Sequence, residues 1–542
     1  MRKKQTFLRK LAGAVVFSAL LMGCGDFLGI LPLNEIVLEN YWTNEDDVRA
    51  VVASCYSAMA SYDFVKLSFV WGEMRSDNIV RGLGTSEEEL EILEGNLQPS
   101  HSVTRWSSFY NVINLCNTVL YYGPDVVQKD PDFNESEWLA MKSEVLTIRS
   151  LCYFYLVRTF RDIPLVLNPT IDDNEQYRHP AADESDVLNQ IVTDLLEAER
   201  YAVRRYSKES YNKGRVTRLA VQALLADVYL WMEDYPNCVT YCNKVIEAKI
   251  EEAEEERMTY DGKYPLIGNQ KTNSVALTHE AYNEIFGKGS SFESIFELQF
   301  TKDQQTNDII PGYFGTATSP SNIGAISCAD FIADGATSGN DIFAKTDIRA
   351  VENFNARGTS FFPIRKYVVE SFSNQDVPTY RSLHLSNWIY YRLTDVMLME
   401  AEALTEQSLL DETGEKELRQ AFDLVSAVYN RANVSQTAKD TLQFNSYNTY
   451  PKMASLVLLE RHRELMFEGK RWFDLVRKAR RDGSNSAMLD LAKRKYTYPE
   501  SVKSKWIKPD MLYFPINEDE LKVNLLLKQN PGYDTGETIK KN

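Results

Sequence analysis

The stretch VTRLAVQALLADVYLWMEDYPNCVTYCNKVIEAK, residues 216–249, repeats its apolar residues every three to four positions on both sides of Glu233-Asp234-Tyr235. That spacing predicts two helices joined by a tight turn. Ala220, Ala223 and Ala226 line one face of the first helix, where a partner can approach closely. A helix pair of about 34 residues with small and aromatic residues so arranged is tetratricopeptide-like, and such a unit buries its faces only by stacking on neighbours. Residues 139–160 with 184–203 echo it, as do 388–405 with 415–432, and 43–62 with 104–122 form a divergent fourth pair. Thr43 followed by Asp46 reads as the first N-cap, and Pro164 ends the helix before RDIP. The expectation is a mainly α fold, a curved superhelix of helical pairs over about 44–250 and 388–480.

Between those blocks the helical period fails. EEAEEE at 251–256 reads as a solvated helix end. From about 257 to 387 the chain is rich in Gly, Ser, Thr, Asn and aromatics, with a strand-like run SIFELQF at 294–300. A stretch of this length is not one loop in a compact protein, so it reads as an irregular subdomain packed on the scaffold, where function is often carried. The loop around 79–103 has the same character.

The N-terminus MRKKQTFLRK–LAGAVVFSALLM has a basic segment and an apolar run too short to span a bilayer comfortably, followed by Gly23 and Cys24. Residues 1–23 therefore read as a signal peptide, and Leu21-Met22-Gly23-Cys24 resembles a bacterial lipobox, with Cys24 as the lipidated first residue of one 24–542 domain. Loss of the five basic residues of that segment takes the formal charge from −17 to −22, which argues against nucleic acid or an anionic membrane face as partner. The other cysteines have no CxxC spacing; Cys238 and Cys242, at i and i+4 without a histidine, read as core.

Enzyme motifs give little. There is no GxSxG, Walker loop or HExxH, and His462-Arg463-Glu464 supplies the HxE half of a zinc deaminase signature without its PCxxC half. No catalytic residue, metal or cofactor is assigned. LERHRELMFEGKRWFDLVR, residues 459–477, reads as one helix with an apolar face. Glu460, Glu464 and Glu468 form a like-charge column at i, i+4, unfavourable alone and offset here by Arg461, Arg463, Arg471 and Arg477. The expectation is a charge network at the junction of scaffold and irregular subdomain, with Gly469 admitting a neighbour, rather than a catalytic carboxylate cluster.

ERHRELMFEGKRWFDLVRKAR closely resembles the C-terminal signature of the SusD/RagB family of Bacteroidetes outer-membrane lipoproteins. AMKSEVLTIRSLCYFYLVRTFRDIPLV, GRVTRLAVQALLADVYLWMEDY, YYRLTDVMLMEAEAL and YFPINEDELKVNLLLKQNPGY resemble its other blocks in the same order, and CGDFL from Cys24 its mature start. The resemblance implies four tetratricopeptide-like pairs supporting an irregular ligand-bearing region. It implies a lipid-anchored protein exposed at the cell surface that binds glycans, is not an enzyme, and acts as the lid of a SusC-type TonB-dependent transporter. The family's ligand places fall here at about 77–103 and 260–330. The first offers Asp77, Asn78, Arg81 and Asn96 but no aromatic ring; the second offers Tyr264, Tyr282, Phe292, Tyr313 and Phe314. Tyr313 and Phe314 are favoured, because GYFG sets both on a Gly-flanked turn where rings can stand exposed. An oligopeptide ligand in the same role, and a surface glycoside hydrolase with two placed carboxylates, stand as alternatives.

Overall fold

The structure, a computed structural model, describes residues 41–170, 178–268, 279–303, 305–316, 324–355, 361–410, 413–433, 441–496 and 498–534. The signal segment and Cys24 lie outside the described residues.

The scaffold helices are α1 (Glu45–Met59), α2 (Tyr62–Glu73), α3 (Glu87–Leu93), α4 (Ser107–Lys129), α5 (Glu135–Phe160), α6 (Glu184–Tyr201), α7 (Arg218–Trp231), α8 (Tyr235–Glu255), α9 (Leu393–Gln407), α10 (Glu415–Ala432), α11 (Tyr450–Glu464) and α12 (Arg471–Arg481). Two shorter helices follow, α13 (Ser486–Ala492) and α14 (Pro499–Trp506). The four expected pairs form, α1 with α4, α5 with α6, α7 with α8 and α9 with α10, and they stack in chain order. Side-chain caps start several of these helices. Asn44 and Asp47 form a reciprocal capping box on α1, one residue from the expected cap, and Asn134 with Glu137 does the same for α5. Thr217 caps α7, where Ala220, Ala223 and Ala226 are all buried. Where α4 meets α5, a Cβ on Gly123 would lie 2.1 Å from the ring of Trp138, so this crossing needs glycine.

Two short antiparallel ladders join the irregular region to the scaffold and a third lies within it. The strands are β1 (Ile79–Arg81), β2 (Ser294–Leu298), β3 (Ile326–Cys328), β4 (Val369–Phe372), β5 (Pro378–Tyr380) and β6 (Trp388–Arg392). They pair as β1 with β3, β2 with β6 and β4 with β5. WIYYR at 388–392 is therefore a strand, not the first turn and a half of the predicted helix. Every residue of β6 is buried, so no alternation marks it, and an apolar run covered on both faces looks the same in either structure.

Residues 459–477 are also not one helix. α11 stops at Glu464, and the chain turns through Leu465–Lys470 with Phe467 at φ 66° and Gly469 at φ 70° before α12 begins. The turn exists because α2 packs against it. Gly469 N–H donates to Glu73 Oε2 (3.1 Å), and Gly72 lies against the Gly469 carbonyl. The expected close approach at Gly469 is real, but it occurs in a turn.

The glutamate column is buried and bridges the two parts of the molecule, as expected. Glu464 accepts from Arg392 Nη1 (2.6 Å), Arg349 Nη1 (2.9 Å) and Arg431. Glu468 accepts from Lys366 Nζ (2.6 Å) and from Arg392 Nε and Nη2 (2.9 and 2.7 Å). Glu460 accepts from Arg349 (2.7 Å) and Arg463 (3.1 Å). Arg349 and Lys366 belong to the irregular region, Arg392 to β6 and Arg431 to α10. Of the cations expected to neutralise the column, only Arg463 does so. Arg461 is turned to Asp395 and Asp474, Arg471 to Asp77, and Arg477 to Glu402 and Asp474. Burial alone would raise the Glu464 carboxyl; Arg431, Arg392 and Arg349 hold it well below the usual carboxylate range. These acids are saturated by structural partners.

Candidate functional site

The β1–β3 ladder brings the two expected ligand places together. Ile79, Val80 and Arg81 pair with Cys328, Ser327 and Ile326, and Gly82 N–H and Gly84 N–H continue onto the carbonyls of Ala325 and Gly324. The residues expected to touch ligand do not all reach the surface there.

Asp77 and Asn78 are buried beneath the ladder. Arg471 donates to both oxygens of Asp77 (2.8 and 2.9 Å). Asn78 donates through Nδ2 to Glu73, and its Oδ1 accepts from Nε2–H of His462. Both residues tie α2 to α11 and α12, which corrects their assignment to the ligand. His462 carries a pH prediction. Burial and the Arg471 guanidinium hold it neutral, with a pKa down at about 3. The unfolded chain takes up this proton below about 6.5 while the folded chain resists it, so folded stability falls as pH drops through that window. Glu73 acts in the opposite direction, because burial raises its pKa to about 7. His462→Gln isolates the histidine: relative to wild type its unfolding free energy from urea melts should gain about 1.4 kcal/mol per pH unit between about pH 5.5 and 4.5. Midpoints that fall in parallel in the two proteins would refute this.

The aromatic expectations are corrected too. Tyr313 and Phe314 do sit between glycines, but they are 1 % and 0 % exposed. Their rings pack on Phe69 of α2 at centroid distances of 5.8 and 5.1 Å, and the backbone of Gly324 covers the Tyr313 carbonyl. Tyr282 is buried and donates to the carbonyls of Arg365 and Val369. Tyr264 is buried, and half-buried Phe292 has Lys249 Nζ 4.1 Å above its ring. These rings belong to the core that the irregular region shares with the scaffold.

Arg81 and Asn96 remain exposed, and Asn96 stands at a cavity of about 230 Å³. Its position follows from local chemistry. α3 is opened by the Ser86–Glu89 capping box. It closes in a Schellman motif, with Asn96 N–H bonded to the Glu91 carbonyl (2.8 Å), Gly95 N–H to that of Ile92 (3.0 Å), and Gly95 at φ 81°. The opposite wall is α14, entered through Tyr498 with Pro499 in its first turn. Lys505 on that helix donates to the Gly95 carbonyl (3.0 Å) and to Asn96 Oδ1 (2.8 Å), which fixes the amide and leaves Asn96 Nδ2 with no partner among the described residues. Trp506 lies beneath Gly95, edge-on to Trp472, with the Arg75 guanidinium 4.6 Å from its ring.

Glu94, Tyr496, Tyr498, Ser501 and Val502 complete the cavity. The Tyr496 hydroxyl is buried without a partner among the described residues, while Tyr498 is 76 % exposed. An open ring beside a fixed amide, an ammonium and hydroxyls can stack on a flat apolar face and bond to polar groups at its rim. Sequence reasoning placed no site residue in this segment. The available signal was YTYP at 496–499, two tyrosines ahead of a proline outside the helical repeat.

Comparison with known proteins agrees with this architecture. A family profile described as "SusD family" matches residues 332–533, and another described as "Starch-binding associating with outer membrane" matches 43–230. The chain is 22 % identical to "SusD-like protein P38" of Formosa agariphila, over 84 % of this chain and 88 % of that one. It is also 22 % identical to "SusD-like protein P25" of the same organism, over 96 % and 98 %. A SusD superfamily protein of Bacteroides vulgatus superposes with a TM-score of 0.67 at 18 % identity, covering 91 % of this chain and all of that one. A solved "Laminarin binding SusD-like protein" superposes with a TM-score of 0.63 at 22 % identity, covering 91 % and 100 %.

Proposed function

The chain belongs to the SusD/RagB family, and from that premise we propose that it is a lipid-anchored surface protein that captures neutral oligosaccharides and passes them to a SusC-type TonB-dependent transporter in the outer membrane, as its lid. Cys24 is the proposed anchor. Among the described residues no helix is long and apolar enough to cross a membrane. The observation that carries the reading is the open Tyr498 ring beside the Lys505-fixed amide of Asn96. A relative of the same fold named for laminarin binding supports the glycan class. The reading gives the chain no chemical step, and the hydrolase alternative finds no support in the buried glutamates of the α11 junction, each tied to cations.

The test is affinity electrophoresis against laminarin, xylan, mannan and starch, with a tryptic digest of casein as the peptide arm. Tyr498→Ala is expected to weaken retardation by one glycan about tenfold, the equivalent of ~1.4 kcal/mol, with an unchanged melting curve. Capture of peptide and of no glycan would replace this reading with the oligopeptide one. Glycan binding indifferent to Tyr498→Ala would move the site elsewhere.

A further inference from the structure

An open groove of about 810 Å³ and a cavity of about 540 Å³ meet at Gln299 and share no lining residue with the cavity at Tyr498. The floor of the groove is a fixed network of amides and hydroxyls gathered on one buried carboxyl group. Glu297, fully buried in β2, accepts through one oxygen from Ser290 N–H (2.6 Å), Ser290 Oγ (2.9 Å) and Asn387 Nδ2 (2.6 Å). Asn387 Oδ1 in turn accepts from Phe300 N–H (3.2 Å). Gln299 donates to the Ser210 carbonyl (2.8 Å) and to Ser290 Oγ (2.9 Å), which leaves its Oε1 with no partner among the described residues. Two glycines make room for these amides. A Cβ on Gly214 would lie 2.5 Å from the Gln299 amide, and one on Gly289 would lie 2.6 Å from Asn387 Nδ2.

Charge narrows the ligand class. The chain as a whole is at −17, yet the charged residues of the groove are Glu284 and Glu370 against Lys288 and Arg381. Lys288 is paired with Glu284, and Arg381 is engaged by the carbonyls of Phe286 and Gly287. A charged ligand has little to gain there, whereas a prefixed acceptor suits hydroxyl donors and loses little freedom on binding. In the adjoining cavity lies Tyr211, 38 % exposed, with Lys208 Nζ 4.5 Å and the Arg215 guanidinium 5.3 Å from its ring centroid, the guanidinium held in turn by Glu144 (2.6 and 3.0 Å).

We infer that the groove over Ser290, Gln299 and Asn387, with Tyr211 at its end, is a second binding site for a neutral, polyhydroxylated oligosaccharide; this rests on the glycan reading above. Two sites on one chain would hold a long polymer at two points and raise its local concentration at the first.

The test is calorimetric titration of the full-length chain, in a detergent without a sugar headgroup, with laminarihexaose, cellohexaose, xylohexaose and mannohexaose. Tyr498→Ala should retain binding of one hexaose, and adding Gln299→Ala or Tyr211→Ala should weaken that remainder at least tenfold. Tyr211 is part-exposed, so its variant keeps the test decisive if Gln299→Ala disturbs folding. If wild type binds a hexaose and Tyr498→Ala binds none, the second site is refuted and the proposed function stands. Residual binding untouched by both added changes also refutes it, as does competition for that remainder by casein peptides. Failure of wild type to bind any of the four refutes the second site, and with no retardation by starch in the electrophoresis above it overturns the glycan reading as well.

Discussion

Glu464→Gln is expected to destabilise the fold by about 3–5 kcal/mol, the range for breaking a buried ion pair by removing one partner. Glu464 is buried at the point where Arg349, Arg392 and Arg431 converge from three separate parts of the chain. Glutamine keeps the shape and removes the charge. Each arginine retains another acid, Asp347 and Glu460 for Arg349, Glu468 for Arg392 and Glu293 for Arg431, but the cluster is left with an uncompensated positive charge out of water. The same change at Glu415, an exposed i, i+4 partner of Arg419, should alter stability by less than about 0.5 kcal/mol. Urea midpoints of the two variants check the contrast. Equal and small shifts would mean that the junction is held by apolar packing alone.

Gly72→Ala is expected to be at least as damaging, with loss of more than about 3 kcal/mol or failure to fold, beyond the ordinary range for overpacking. A Cβ there would fall 1.8 Å from the Gly469 carbonyl oxygen and 3.1 Å from the Phe473 ring, and a backbone carbonyl has no rotamer by which to yield. Relieving it moves α2 or the turn, and with the turn goes the Gly469 N–H bond to Glu73. Gly335→Ala is the comparison. That glycine also has positive φ (67°) but open space around it, so alanine should cost about 1 kcal/mol. Soluble yield and melting temperature distinguish the two; a Gly72→Ala protein that melts like wild type would show that the helix and turn can separate.

The pattern of successes and corrections follows the range of the interactions involved. The four helix pairs were readable because their apolar period is a property of neighbouring residues, as was the stop at RDIP. β6 was not, since a strand buried on both faces has no period to display. The break after Glu464 was hidden for another reason: Phe467 adopts a positive φ only because its ring is fully buried and the turn is clamped by α2, more than 390 residues earlier in the chain.

The candidate site shows the same division. Glycines on either side of Tyr313 and Phe314 set the turn locally, but exposure is decided by what lies opposite, and Phe69 and Gly324 lie opposite. Tyr498 is open for the converse reason, since α14 turns its entry outward beside the Schellman end of α3. Chain-local physics, in periodicity and the charge of the column, determined the helical-pair class, while the family resemblance was carried by the motif ERHRELMFEGKRWFDLVRKAR and the blocks that match in the same order. Which cation neutralises which glutamate, which rings face water and where α11 stops were decided by tertiary structure, because burial and ion pairing depend on segments brought together only when the chain has folded.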